Sequence, residues 1–242
     1  AGQKDSEGRG QAQGAEVYDT SGSEVAIRNL INVNQSFARY LSDKRILDSA
    51  KVLFGPYIRM RTGKGFVDYP GCKRGNLHGD GPFNQRSPVC VFAPYQDAVM
   101  QLTTVWMFSP FTKDNGGTIL VPGSHRSENN WTGGLDKEQP YPGEVQATGP
   151  AGSVVLFDSR LWHTNGANNS TDPRVGMIMT YFPWWLSQVP AMPPGTPERN
   201  SLMEETGLSN DELGPGTDLI PGNVYKGLPE DVKPLFRHWV QR

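Results

Sequence analysis

The chain has 242 residues, enough for one ordinary domain with extensions. Apolar residues make up 36% and the net charge is −2, so a modest core is available and the strongly basic surface that binds polyanions is excluded. No apolar run approaches a membrane span and no secretory leader is visible, so the expected protein is soluble and cytoplasmic, with no nucleic-acid or membrane partner.

Residues 1–14 contain no large apolar side chain, and 1–22 are expected to form a disordered or extended arm. The chain opens without a methionine, as a processed or trimmed chain would. From Ser23 to Leu53 apolar residues recur at mixed three-and-four spacing, which predicts two short helices, the second capped by Ser42 or Asp43. Gly55-Pro56 breaks that pattern, and "YIRMR" (57–61) alternates like a strand. Further strands are predicted in "AVMQLTTVWMF" (98–108), "GTILVP" (117–122), "GSVVLFD" (152–158) and "RVGMIMTYF" (174–182). With 28 glycines and 20 prolines marking turns, the reading is a β-sandwich or barrel core at about 57–182 within a single domain over 23–242. After Pro183 comes a helical extension (183–242), closing on a short amphipathic helix at "PEDVKPLFRHWVQR" (229–242). The two cysteines, Cys72 and Cys90, give no disulfide framework and fit a reducing compartment.

The stretch "NLHGDGPFNQ" (76–85) sets His78 and Asp80 two apart. In an extended chain, residues i and i+2 share a face, so an imidazole and a carboxylate can aim at one point. The alternative is a glycine-rich polar turn whose side chains cap the backbone. A metal site needs a third ligand, and His163, just past the strand of "GSVVLFDSRLWH", is the best placed. His125 follows the turn Pro122-Gly123-Ser124, and His238 sits in the terminal amphipathic segment, so neither is expected to bind metal. Two histidines and one carboxylate on one face of an octahedron leave positions open, the arrangement of non-haem Fe(II) oxygenases. Arg174 stands eleven residues after His163 at the start of an apolar strand. A guanidinium there suits a bidentate grip on a carboxylate such as the distal one of 2-oxoglutarate.

The run "DNGGTILVPGSHR" (114–126), with "LHGDG" before it and "WHTNGANNSTDPR" after it, resembles the phytanoyl-CoA dioxygenase family. The resemblance spans about residues 45–185, with three motifs in the family's order. It implies a mainly β fold, a double-stranded β-helix of jelly-roll or cupin-like type with flanking α-helices. Carried over by position, it implies that His78, Asp80 and His163 bind Fe(II) and that Arg174 anchors 2-oxoglutarate. Asn165 stands where the family often has a serine that helps bind the same carboxylate, and Met60 where the family lines the cosubstrate pocket. Family members usually carry further helix and strand before the segment at Ser23, which suggests a trimmed chain or a divergent N-terminus.

The expected activity is therefore that of an Fe(II)- and 2-oxoglutarate-dependent oxygenase. It would use O2 to hydroxylate or desaturate an unactivated C–H bond of a small molecule, releasing succinate and carbon dioxide. Halogenation needs a vacant metal position that Asp80 fills. A different class is a catalytically silent domain of the same fold, a sensor or scaffold, which has no chemical need for the three ligands and Arg174 together. A cupin-like isomerase would draw on more histidines than stand near Asp80. Arg59, Arg61, Lys73, Arg74 and Arg86 crowd the approaches to the first motif, either for an anionic substrate or as a solvated basic face. The polar segment 126–150 is a candidate lid.

Overall fold

The structure is a computed structural model that describes residues 10–12, 15–19, 23–61, 63–80, 97–127, 139–186, 194–213 and 219–241. Its strands are β1 (Gly10–Ala12), β2 (Ala15–Asp19), β3 (Glu24–Ile27), β4 (Ile58–Met60), β5 (Lys64–Asp68), β6 (Leu102–Met107), β7 (Ile119–Leu120), β8 (Val145–Gln146), β9 (Val154–Asp158), β10 (His163–Thr164) and β11 (Arg174–Pro183). The helices are α1 (Leu30–Val33), α2 (Ala38–Leu41), α3 (Lys44–Phe54), α4 (Pro197–Thr206), α5 (Asn210–Leu213), α6 (Gly222–Gly227) and α7 (Lys233–Phe236).

All strand pairs are antiparallel. The larger sheet runs β1-β2-β3-β5-β11-β6-β9, with β4 also paired to β11, and the smaller runs β10-β7-β8. β11 is the axis. It sets Arg174 opposite Asp68 on β5, Met177 opposite Trp106 on β6, and Tyr181 opposite Met60 on β4.

Period-two alternation divides the two faces of the larger sheet. Met177, Met179 and Tyr181 of β11, with Leu102 and Trp106 of β6, point outward into the main core. There they meet Leu41, Ile46 and Ala50 of the N-terminal helices and Val232, Leu235, Phe236 and Trp239 from the C-terminal segment. The Tyr181 hydroxyl donates to the Leu41 carbonyl (3.0 Å), and the Trp239 indole to the Met60 carbonyl (3.1 Å). The opposite face carries a second cluster of Phe66, Val105, Met107, Phe111, Leu120 and Phe157. Every residue of β6 is buried, which is why it reads as a near-continuous apolar run.

Three elements differ from expectation. The first half of the Ser23–Leu53 segment forms strand β3 followed by the short helices α1 and α2, and α1 begins only after Asn29, which takes the left-handed conformation (φ 56°). The second helix forms as α3, with the Asp43 carboxylate accepting from the Arg45 N–H (3.0 Å) and Gly55 ending it at φ 78°. Residues 10–12 and 15–19 pair as strands β1 and β2 at one end of the larger sheet, through backbone hydrogen bonds. At the C-terminus only Lys233–Phe236 is helical, with Pro234 in its first turn, and Ile220 instead bridges Val240. Among the described residues no helix is long and apolar enough to cross a membrane.

Gly176 marks the tightest point of β11. A Cβ there would stand 2.5 Å from the Phe66 ring and 2.9 Å from the Trp106 carbonyl oxygen, a backbone atom held in the β6–β11 ladder. Gly176→Ala should therefore lower stability by about 1–3 kcal/mol through overpacking. Calorimetric unfolding tests this, and an unchanged Tm would show that the Phe66 and Phe111 rings have slack.

Candidate active site

The loop over residues 72–77 has no regular structure, yet it delivers His78 to a fixed place. The His78 N–H donates to the His163 carbonyl (3.1 Å), and the His163 N–H donates back to the His78 carbonyl (2.9 Å). The Asp80 N–H then donates to the Ser159 carbonyl (2.7 Å). The two histidines thus form an isolated antiparallel bridge, and the Asp80 contact to Ser159 holds the next residues of the loop against the same segment. One donor atom from each of His78, Asp80 and His163 lies within 4.8 Å of the others, and among the described residues this is the one such group that could hold a metal. His78 Nε2 is 4.0 Å and His163 Nε2 3.7 Å from the Asp80 carboxylate.

The hydrogen-bond partners fix the tautomers. His78 Nδ1 lies 2.9 Å from the Asn76 carbonyl and His163 Nδ1 2.8 Å from the Leu161 carbonyl. A carbonyl only accepts, so each Nδ1 carries the hydrogen and each Nε2 keeps its lone pair toward Asp80. The Thr103 hydroxyl donates to Asp80 Oδ2 (2.8 Å) and also meets the Ser159 hydroxyl (2.7 Å), which orients the carboxylate. Burial pushes His78 down to about 4, and His163 beside it adds to the effect. Burial works against the Asp80 charge, but His163, His78 and the Thr103 hydrogen bond outweigh it and hold the acid below its ordinary value. His78 is thus held neutral and Asp80 ionised, the forms in which an imidazole and a carboxylate can bind a divalent cation.

Arg174 lies in the same cavity, which has a volume of about 340 Å³ and is walled by both sheets. Its side chain is 1% exposed and paired through Nη2 with Asp68 Oδ2 of the neighbouring strand, itself 1% exposed. The guanidinium lies 5.0 Å from the Phe66 ring centroid and 4.5 Å from that of Phe111. Nε and Nη1 of Arg174 and Oδ1 of Asp68 are buried without a hydrogen-bond partner. Burial pushes Arg174 down and Asp68 up from their ordinary values, each opposed by the other's charge.

Asn165 also lines the cavity, but its amide donates to the Lys73 carbonyl (3.1 Å), so part of its donor capacity is spent on the loop. Met60 requires a correction. It is fully buried in the main core, on the outward face where β4 meets the C-terminal segment, and is not among the residues lining the cavity. His125 lies in a single 3-10 turn outside the triplet, and His238 borders a separate surface pocket beside Trp184. Of the basic residues near the first motif, Arg61 lines the cavity. Arg74 is bound to Glu144 through two hydrogen bonds (2.7 and 2.6 Å), Arg59 lies 5.7 Å over the Trp239 ring, and Lys73 is exposed. Arg86, Cys90 and residues 128–138 of the candidate lid lie outside the described residues, while Cys72 is a buried free thiol. The sequence reading missed Thr103, Ser159, Phe66, Phe111 and Asp68. The alternation of Lys64, Phe66 and Asp68, all three facing the cavity, is the signal that would have found the last strand.

The sequence profile of the phytanoyl-CoA dioxygenase family matches residues 12–176. Dioxygenase af480 of Aspergillus fumigatus is 29% identical over 178 residues, which cover 73% of this chain and 54% of that protein. The chain thus spans about half the length of that relative. HygX from Streptomyces hygroscopicus, solved with nickel, 2-oxoglutarate and hygromycin B, is similar at a TM-score of 0.57 and 17% identity over 84% of this chain and 82% of that one. EctD from S. alaskensis with bound Fe is similar at a TM-score of 0.53 and 23% identity, over 65% and 56% of the two chains. These likenesses show the fold, a double-stranded β-helix.

The depressed His78 makes stability depend on pH in the metal-free protein. Unfolded, the imidazole takes its proton near 6.5; folded, it does so only near 4. Between those values the unfolded chain holds more protons, so stability falls as pH falls from about 6.5 and this loss levels off below about 4. Unfolding followed by calorimetry in chelator across this range should show a shallower slope for His78→Gln than for the wild type. Equal slopes would mean that His78 is not desolvated as the structure has it.

Proposed function

The chain belongs to the phytanoyl-CoA dioxygenase family, and from that premise we propose that it is an Fe(II)- and 2-oxoglutarate-dependent oxygenase. It oxidises an unactivated C–H bond of a small molecule, by hydroxylation in the simplest case, and converts 2-oxoglutarate to succinate and carbon dioxide. One observation carries the reading. A cavity of about 340 Å³ holds two imidazoles with tautomers fixed for metal binding and a carboxylate, and the same cavity is lined by a buried arginine with two unbonded nitrogens. HygX held with hygromycin B supports a small-molecule substrate.

The donor set fits the implied metal. His78 and His163 offer neutral Nε2 lone pairs, and Asp80 offers one negative charge, a 2-His-1-carboxylate set. When bound, ferrous iron with 2-oxoglutarate supplies the activation of dioxygen, which no side chain here can provide. The protein's own share is positional. The Asn76 and Leu161 carbonyls hold the imidazole rings, Thr103 and Ser159 hold the carboxylate, and the Arg174 guanidinium would hold the distal carboxylate of 2-oxoglutarate. Phe66, Phe111 and Phe157 form an apolar cluster beside the cavity that keeps water from that wall.

Anaerobic Fe(II) titration followed by 2-oxoglutarate and then oxygen, with succinate measured, tests the reading. His78→Ala and Asp80→Ala should each abolish tight Fe(II) binding and succinate release, whereas His125→Ala should leave both intact. A site emptied by loss of His125 but not of His163 would overturn the ligand assignment. In Arg174→Ala iron should stay bound while the 2-oxoglutarate requirement rises steeply, because losing one partner of a buried charged contact costs roughly 2–5 kcal/mol. Unchanged 2-oxoglutarate affinity in that variant removes the anchor role.

A further inference from the structure

Arg174 is long, buried and charged, yet only Nη2 has a hydrogen-bond partner. Left to its own rotamers, such a side chain would not present Nε and Nη1 in one fixed direction. Three groups restrain it. Phe66 and Phe111 lie 5.0 and 4.5 Å from the guanidinium and limit its plane, and Asp68 holds one end. Asp68 is itself placed by the sheet. It stands opposite Arg174 in the β5–β11 ladder and opposite Glu24 in the β3–β5 ladder, and its carbonyl accepts from the buried Asn168 amide (2.9 Å). That same amide reaches the Asp172 carbonyl (3.0 Å), tying the segment before Arg174 to the strand that carries Asp68. The relative position of the two side chains is therefore set by backbone contacts on both sides.

We propose that Asp68 is the positioning residue of the cosubstrate anchor: it binds Nη2 of Arg174 and so fixes where the guanidinium stands in the cavity wall, from which it would meet the distal carboxylate of 2-oxoglutarate. The inference rests on Arg174 being that anchor. Asp68 does not touch the cosubstrate and acts through Arg174 alone. What matters is where its acceptor oxygen stands. Asp68→Asn keeps an oxygen at the same distance from the backbone and removes the charge. Asp68→Glu keeps the charge and moves it outward by one methylene, displacing the guanidinium. Asp68→Ala removes both.

The test is anaerobic titration of the Fe(II)-loaded full chain with 2-oxoglutarate, followed by the visible charge-transfer absorption of the complex, with Fe(II) affinity and Tm measured in parallel. Wild type and Asp68→Asn should bind 2-oxoglutarate within about threefold of each other. Asp68→Glu and Asp68→Ala should bind it at least about tenfold more weakly, the penalty of a displaced contact. Fe(II) affinity should be equal in all four. Should Asp68→Ala not fold, the ordering of Asn above Glu still decides. Wild-type affinity in Asp68→Glu, or in folded Asp68→Ala, overturns the proposal, as does loss of binding in Asp68→Asn. Tighter binding in any variant also overturns it, because Asp68 would then compete with the cosubstrate. A wild type that binds iron but shows no 2-oxoglutarate complex instead overturns the anchor reading on which the proposal stands.

Discussion

Two backbone hydrogen bonds between His78 and His163 carry the geometry on which everything else at the site depends. The chain before His78 is irregular and the strand bearing His163 is only two residues long, so neither element alone could fix an imidazole. Joined, they place the two rings with centroids 4.5 Å apart, and the next contact, from Asp80 to Ser159, brings the carboxylate to the same point. Each ring is then braced through its other nitrogen by a carbonyl two residues before it, Asn76 for His78 and Leu161 for His163.

β11 plays the corresponding part for Arg174. It pairs with β4, β5 and β6, and its outward residues Met177, Met179 and Tyr181 are locked in the main core. A one-residue slip would send those three into the cavity and Arg174 into the helices. The register is thus specified by apolar burial on one face, and the polar residues on the other face inherit it. The N-terminal helices and the C-terminal segment never approach the metal triplet, but by burying the outward face they hold the inward one in place.

How much of this was legible in the sequence follows from what each feature is made of. The triplet and Arg174 were readable because His78, Asp80, His163 and Arg174 are chemically distinctive and their spacing is set by strand geometry. Strands β6, β9 and β11 were readable as β-branched and aromatic runs. β5 was not, because "KGFVD" starts beside Gly63 and mixes charged with apolar residues in a way that also fits a loop. Its loss hid Asp68, whose importance comes only from lying across the ladder from Arg174. The assignment of Met60 to the pocket failed for the reverse reason. Its position in the chain was right for β4, but the face it presents is decided by register against Tyr181, which no local pattern reveals. Thr103 and Ser159 are ordinary hydroxyl residues in sequence and become site residues only when β6 and β9 pair.

The two ends of the cavity solve the problem of buried polarity in opposite ways. At the triplet, both Nδ1 atoms and the Asp80 Oδ2 have internal hydrogen-bond partners. At the Arg174 end a charge is buried with its counter-ion, and Nε, Nη1 and Asp68 Oδ1 bond to nothing. Leaving a buried donor or acceptor unsatisfied costs about 1–3 kcal/mol each, so such groups persist only where something else requires them. Replacing the pair by apolar residues of like volume would remove that cost. On the proposed function, a bound carboxylate would supply acceptors for Arg174 in a wall that Glu24, Lys64, Phe66 and Val105 also line. A ligand that supplies the absent acceptor relieves the penalty as it binds, and by linkage it also stabilises the fold around β5 and β11. The same unsatisfied nitrogens that make this wall weak in the free protein are what would give the anchor its hold on the cosubstrate.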